Sequence, residues 1–145
     1  MAILTNRAAD TRDRGIDIAL LILRLVLGVL ILLHGVGKLP QPPAFLVDLL
    51  AKHNLPAVLA YGPYIGEIAA PLLLIVGVWT RLAALLIAIN MVFAVLLVHT
   101  GQLFSLDKAG GYALELQAMF LFVAIALVFT GAGRLSVGGR YGPLN

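Results

Sequence analysis

Four apolar runs constrain this chain more than any other feature in it. They lie at about Ile16 to Leu39, Ala60 to Trp79, Leu82 to His99 and Tyr112 to Gly131. Each is close to the roughly 20 residues that an α-helix needs to cross a bilayer. Backbone polar groups cannot be left open in hydrocarbon, so each run is read as a helix. With 61% of its 145 residues hydrophobic and only 12% charged, the chain cannot bury its apolar surface in a water-soluble fold of this size. The reading is an all-α membrane protein: a four-transmembrane-helix bundle, with a short amphipathic interfacial helix between the first and second spans.

That interfacial helix comes from AFLVDLLAKH. Here Phe45, Leu46, Leu49 and Leu50 fall on one side and Asp48 and Lys52 on the other. The preceding PQPP, at residues 40–43, stops the first span. The second connection, around Thr80 and Arg81, is a tight reversal; the third, Thr100 to Gly111, is polar and contains glycine. Residues 1–15 form an N-terminal arm, residues 16–135 the membrane domain and residues 136–145 a C-terminal tail. The start does not read as a cleaved signal peptide, because the apolar run is too long and carries Arg24. Arg7, Arg12, Arg14, Arg81, Arg134 and Arg140 would share one side of the membrane, against Lys38, Lys52 and Lys108 on the other. Six cations against three put both termini in the cytoplasm. The net charge of +3 is explained by this topology rather than by nucleic acid. With no cysteine, disulfides, thiolate nucleophiles and Cys-ligated metal are excluded.

Chemistry enters with the stretch RLVLGVLILLHGVGKL, from Arg24 to Leu39. Relative to Arg24, Lys38 lies at roughly −40° around the helix and His34 at roughly −80°. Three cations thus share one face of an otherwise apolar helix, flanked by Gly28 and Gly35. The topology brings Glu67, His99 and Glu115 towards the same outer end, with Arg24 roughly 15 Å deeper than His34. Charges in a membrane are costly and are best paired inward. The expected polar pocket therefore comprises Arg24, His34, Lys38, Glu67, His99 and Glu115. Pro71, four residues after Glu67, cannot donate to the Glu67 carbonyl, a common way to open a polar cavity in a helix.

Each group also has a plainer reading. Arg24 can be a structural charge paired with an acid or with Asn90. His34 and Lys38 can mark the membrane surface by snorkelling, and His99 can cap a helix C-terminus. Glu67 and Glu115 can form ion pairs with no further role. Asn90 lies about 180° from His99 on its helix and is left out of the pocket. Phe122 and Phe129 read as core. Tyr61, Tyr64, Trp79 and Tyr112 read as an aromatic belt. Two histidines on separate helices, with no Glu-x-x-His spacing, do not make a metal or haem site, so none is expected. GVGK at Gly35 lacks the spacing of a phosphate loop.

The ordered set of Arg, His-Gly-x-Gly-Lys, Glu, Gly-x-x-Thr-Arg, His, Glu and Gly-x-Gly-Arg-x-Ser resembles the DoxX family of small bacterial membrane proteins, over roughly residues 20 to 137. The resemblance implies a four-helix protein of the bacterial inner membrane, associated with redox biology. Founding members of that family accompany a terminal quinol oxidase, and relatives form part of a thiosulfate:quinone oxidoreductase or are linked to thiol and oxidative-stress handling. It also implies that the six residues named above occupy the family's polar positions. One departure is visible: Ser136 is followed by Val137 and Gly138, not by the Asp that the family often carries soon after.

The function expected is a quinone- or small-molecule-binding subunit of membrane redox chemistry. No cofactor is bound covalently, and a quinone is the candidate ligand. Expected partners are the lipid bilayer, a redox partner protein or respiratory complex, and further copies of the chain. The alternatives are an accessory subunit with no catalysis of its own and a small proton-coupled carrier.

Overall fold

The computed structural model describes residues 2–40 and 44–145, with side chains from residue 12 onward. The proposed stop at residues 41–43 and the side chain of Arg7 fall outside that description. Among the described residues the chain is helical without a strand; one isolated bridge joins Leu106 and Tyr112.

Five helices form. α1 spans Ala2–Lys38 and so takes in the segment read as an N-terminal arm. α2, Ala44–Lys52, is the short amphipathic helix. α3, Ala57–Val76, is composite. It begins as a 3-10 turn (Ala57–Tyr61), passes through one α-turn (Gly62–Tyr64), widens to a π-turn (Ile65–Ala69) and continues as α-helix from Ala70 to Val76. α4 spans Thr80–Val98 and α5 spans Glu115–Thr130.

Among the described residues three stretches are long and apolar enough to cross a membrane: Arg12–Lys38, Ala57–Val76 and Thr80–Val98. α5 is a shorter apolar helix of 16 residues. Each outer face carries exposed apolar side chains, such as Leu33, Leu72, Leu96 and Phe129. In water such a surface would aggregate; in lipid it is solvated. The chain is therefore a membrane protein. Phe122 and Phe129, expected in the core, are 66% and 76% exposed. The correction follows from the solvent, because an apolar face of a membrane helix need not turn inward to leave water.

α1 packs on α3, α3 on α4, α4 on α5, and α5 back on α1. Leu20, Leu27, Ile31, Leu74, Ile87, Phe120 and Leu127 fill the centre. On α1 the buried positions are Asp17, Leu20, Arg24, Leu27, Gly28, Ile31 and Gly35. Their spacing of three and four residues is one helical stripe, and it is the stripe on which the sequence carries Arg24.

Lipid tails are as apolar as leucine, so close contact rather than the hydrophobic effect joins such helices. Gly28 and Gly35 supply it. A Cβ at Gly28 would run into Ile75, and one at Gly35 would collide with the Glu67 carbonyl. α3 and α4 are joined by a reversal at residues 77–79, where Gly77 and Trp79 have left-handed backbone.

Candidate functional site

The cause of the site lies in α3. Pro71 has no N–H, and in a regular α-helix its ring would strike the Glu67 carbonyl. The helix responds with a π-turn, in which the Ala70 amide bonds back to the Ile65 carbonyl. Such turns re-aim side chains and recur at functional sites. Here the π-turn carries Gly66 and Glu67, both buried. Gly66 lies against Asn90, where any side chain would meet the Asn90 Cβ, so α4 approaches closely at this level.

Three polar side chains meet there. Lys38 Nζ lies 2.7 Å from Glu67 Oε1, as hydrogen bond and ion pair. Asn90 Nδ2 donates to the same oxygen at 3.1 Å. The Glu67 side chain is 4% exposed and that of Lys38 52%. The carboxylate is thus held inside while the ammonium reaches it from a half-exposed position. The second carboxylate oxygen, Oε2, is buried and has no hydrogen-bond partner among the described residues.

This cluster edges a cavity of about 530 Å³ between α2, α3 and α4. The volume falls within the roughly 300–1,000 Å³ of small-molecule sites. Its walls are mainly apolar: Leu46 and Leu49 from α2, Ile68 from α3, and Ile89, Phe93 and Leu97 from α4. Lys38, Glu67, Asn90 and His99 supply the polar edge. α2 therefore lies over the cavity, with Leu50 buried beneath it.

A family model described as DoxX matches residues 19–100. An uncharacterized protein of Haemophilus influenzae is 30% identical over 122 residues, covering 82% of this chain and 87% of that protein. The chain belongs to the DoxX family. No solved structure matches it. All the polar groups that edge the cavity of this DoxX protein lie inside the matched span.

Of the six residues expected in one pocket, Lys38, Glu67 and His99 line the cavity. Three do not. Arg24, 1% exposed, faces the other end of the molecule, where Nη1 donates to the Ala132 carbonyl and Nη2 to the Leu135 carbonyl, each at 2.9 Å. Among the described residues it meets neither an acid nor Asn90. Arg24 and Lys38 lie 14 residues apart on α1, about 21 Å of helix, so the two cations serve opposite ends. His34 is exposed on the edge of the buried stripe. Its ring Nδ1 lies 3.0 Å from the Leu30 carbonyl, and the ring stands perpendicular to that of Phe120 with centroids 5.9 Å apart. Glu115 is exposed at the first turn of α5, where an acid favours the helix dipole.

Asn90 is the residue the sequence reading left out. The exclusion assumed that His99 continues α4. The helix ends at Val98, and His99 has non-helical backbone (φ −117°, ψ 13°), with its ring bonded to Gln102. The 180° argument therefore does not apply, and both residues reach one cavity. The signal in the sequence was an amide in mid-span, which needs a polar partner as a charge does. Among the described residues no group of three His, Asp or Glu side chains could hold a metal ion.

Proposed function

We propose that the cavity binds a small apolar molecule with a polar head, a quinone or quinol of the membrane, and that the chain is a ligand-binding subunit in membrane redox chemistry. The observation that carries this reading is the buried, unpartnered Oε2 of Glu67 at the edge of an apolar cavity. A buried polar atom left unpaired costs about 1–3 kcal/mol, more when charged, so it calls for a partner that the described residues do not supply. Membership of the DoxX family agrees with a redox setting. Electrons would enter and leave through a partner protein.

In this reading α5 is the fourth crossing, α2 lies at the periplasmic surface of a bacterial inner membrane, and both termini are cytoplasmic. In support, α5 runs back along α4, and Arg81 at the start of α4 donates to the Val128 carbonyl near the end of α5.

The test is recovery of the ligand. Protein purified in mild detergent should release a quinone or quinol on solvent extraction. Ala94→Phe, which fills the cavity from α4, should release far less. If the wild type carries no such molecule, or the two carry equal amounts, the reading fails. A second reading, an accessory subunit, rests on the Lys38–Glu67 pair as a tie between α1 and α3. It predicts that Ala94→Phe leaves the phenotype intact.

A further inference from the structure

We infer that residues 103–113, between α4 and α5, form a membrane-surface anchor. Phe104 and Leu106 enter the lipid where acyl chains meet headgroups, and the turn at Asp107 and Lys108 stays in water. The inference is independent of what the cavity binds.

The connection reads as polar in the sequence, yet Phe104 is 100% exposed and Leu106 70%. These side chains do not hang from an unstructured loop. The segment is a small hairpin: the Asp107 amide donates to the Gly111 carbonyl at 2.8 Å and the Ala113 amide to the Ser105 carbonyl at 3.1 Å. Asp107 Oδ1 closes the turn by accepting from the amides of Ala109 and Gly111. Leu106 and Tyr112 stand opposite each other, so their side chains share a face. The Tyr112 hydroxyl donates back to the Leu103 carbonyl at 3.0 Å. A bonded hairpin that holds two large apolar side chains outside the fold presents them to something other than its own core.

The helix lengths say what covers them. The 16 residues of α5 rise about 24 Å, short of the roughly 30 Å of hydrocarbon. Arg81 of α4 donates to the Val128 carbonyl of α5, which levels the two helices at the end away from the cavity. From that level α4 rises about 26 Å to Val98, but α5 reaches only about 20 Å to Glu115. To meet α5 the hairpin must descend beside the outer end of α4, which sets it at the lipid boundary. The amides of Phe104 and Leu106 make no backbone bond within the hairpin. Such groups cannot sit in hydrocarbon, but water reaches them among headgroups. From there apolar side chains reach roughly 5–10 Å inward, while Asp107 and Lys108 remain exposed at the turn. Tyr112, on the Leu106 face, is a residue type enriched at that boundary. The anchor also bears on the cavity. Its first residues follow His99, whose ring pairs with Gln102 and whose carbonyl accepts from the Gln102 amide, so the hairpin fixes this side chain of the cavity edge relative to the membrane surface.

The chain has no cysteine, so single nitroxide labels report depth directly. Phe104→Cys, Leu106→Cys, Lys108→Cys and, as a lipid-facing reference on α4, Leu96→Cys are labelled in the full chain. Each is reconstituted into vesicles of phosphatidylcholine and phosphatidylglycerol. Power saturation then compares access of oxygen, which favours lipid, with access of a water-soluble nickel chelate. Labels at residues 104 and 106 should be several-fold less accessible to nickel than the label at 108, and should lie between 108 and 96 in depth. All four side chains are exposed, so packing is little disturbed; Leu106→Cys, which keeps Phe104, carries the test alone should Phe104→Cys misfold. Nickel access at 104 and 106 equal to that at 108 would place the hairpin in water and overturn the inference. Labels at 104 and 106 shielded from both reagents would overturn it in favour of a protein contact, with a second copy or another chain.

Discussion

Glu67 is a carboxylate in a membrane helix with one oxygen accepting two hydrogen bonds and the other accepting none from the described residues. Removing Lys38 as Lys38→Met leaves that charge with Asn90 alone. Breaking a fully buried pair costs about 3–5 kcal/mol, but Lys38 is half-exposed, so the loss should be smaller. Adding Glu67→Leu should restore much of it, because no charge then remains to desolvate. Thermal unfolding in detergent across the double-mutant cycle checks both outcomes. Gly35 offers a second test at this scale. Its Cβ position is occupied by the Glu67 carbonyl, whereas Gly37 on the same helix has open space around it. Gly35→Ala should lose about 1–3 kcal/mol by overpacking. Gly37→Ala should gain up to about 1 kcal/mol from helix propensity. Unfolding midpoints that move together would contradict the packing described here. The sequence marked Glu67, Lys38 and Gly35. It misread Asn90, because a helical wheel holds only while the helix does, and α4 stops one residue short of His99.

Among the elements, α3 is the most informative, because its π-turn turns a missing N–H at Pro71 into a cavity wall. Pro71→Ala restores the donor and permits a regular helix. Losing the π-turn would rotate Glu67 relative to Pro71 by roughly 100° and draw it away from Asn90. The variant should therefore fold at least as stably and lose the ligand. Unfolding and ligand extraction on one sample measure both. Segment 131–145 is a second such element. Residues 136–145 are expected from sequence as a tail, but together with residues 131–135 they fold back on the end of the molecule opposite the cavity. Val137 and Gly138 donate to the carbonyls of Val76 and Gly77. The Asn145 side chain accepts from the amide and hydroxyl of Thr80. Arg24 holds the segment from inside α1. Gly77 is required at the contact, both for its φ of +77° and because the Arg24 guanidinium fills the place of a Cβ. Asp17 accepts from the Arg134 amide and stands 3.6 Å from its guanidinium. In Arg24→Met the amides of Val137 and Gly138 should exchange hydrogen many-fold faster, while those at the centre of α4 keep their protection. Unchanged exchange at residues 137 and 138 would show that the clasp does not depend on Arg24.

For the whole molecule, the two polar ends divide the labour. One holds the chain together through carbonyls, and the other sets a buried carboxylate at the edge of a cavity. They are separated by the length of α1 between Arg24 and Lys38, about 21 Å. The orientation across the membrane can be read directly, since the chain has no cysteine of its own. A cysteine in the 100–111 connection, as Lys108→Cys, should react with a membrane-impermeant maleimide added to spheroplasts. One in the tail, as Arg140→Cys, should react only after permeabilisation. The reverse pattern would put the cavity on the cytoplasmic side.

By itself the sequence determined that lipid is the solvent, where the helices lie to within a few residues except at the start of α1, and that the side of α1 carrying Arg24 turns inward. These are local matters: composition, the 100° step per residue and the cost of a charge in hydrocarbon decide them. Only the tertiary structure decided which polar groups meet. Partners depend on the axial register between helices. That register is set by close contacts between segments far apart in the chain, such as Gly35 on the Glu67 carbonyl and Gly66 on Asn90. Arg24 and Lys38 share a face by local geometry, yet they have different partners because the neighbouring helices present different groups at different depths.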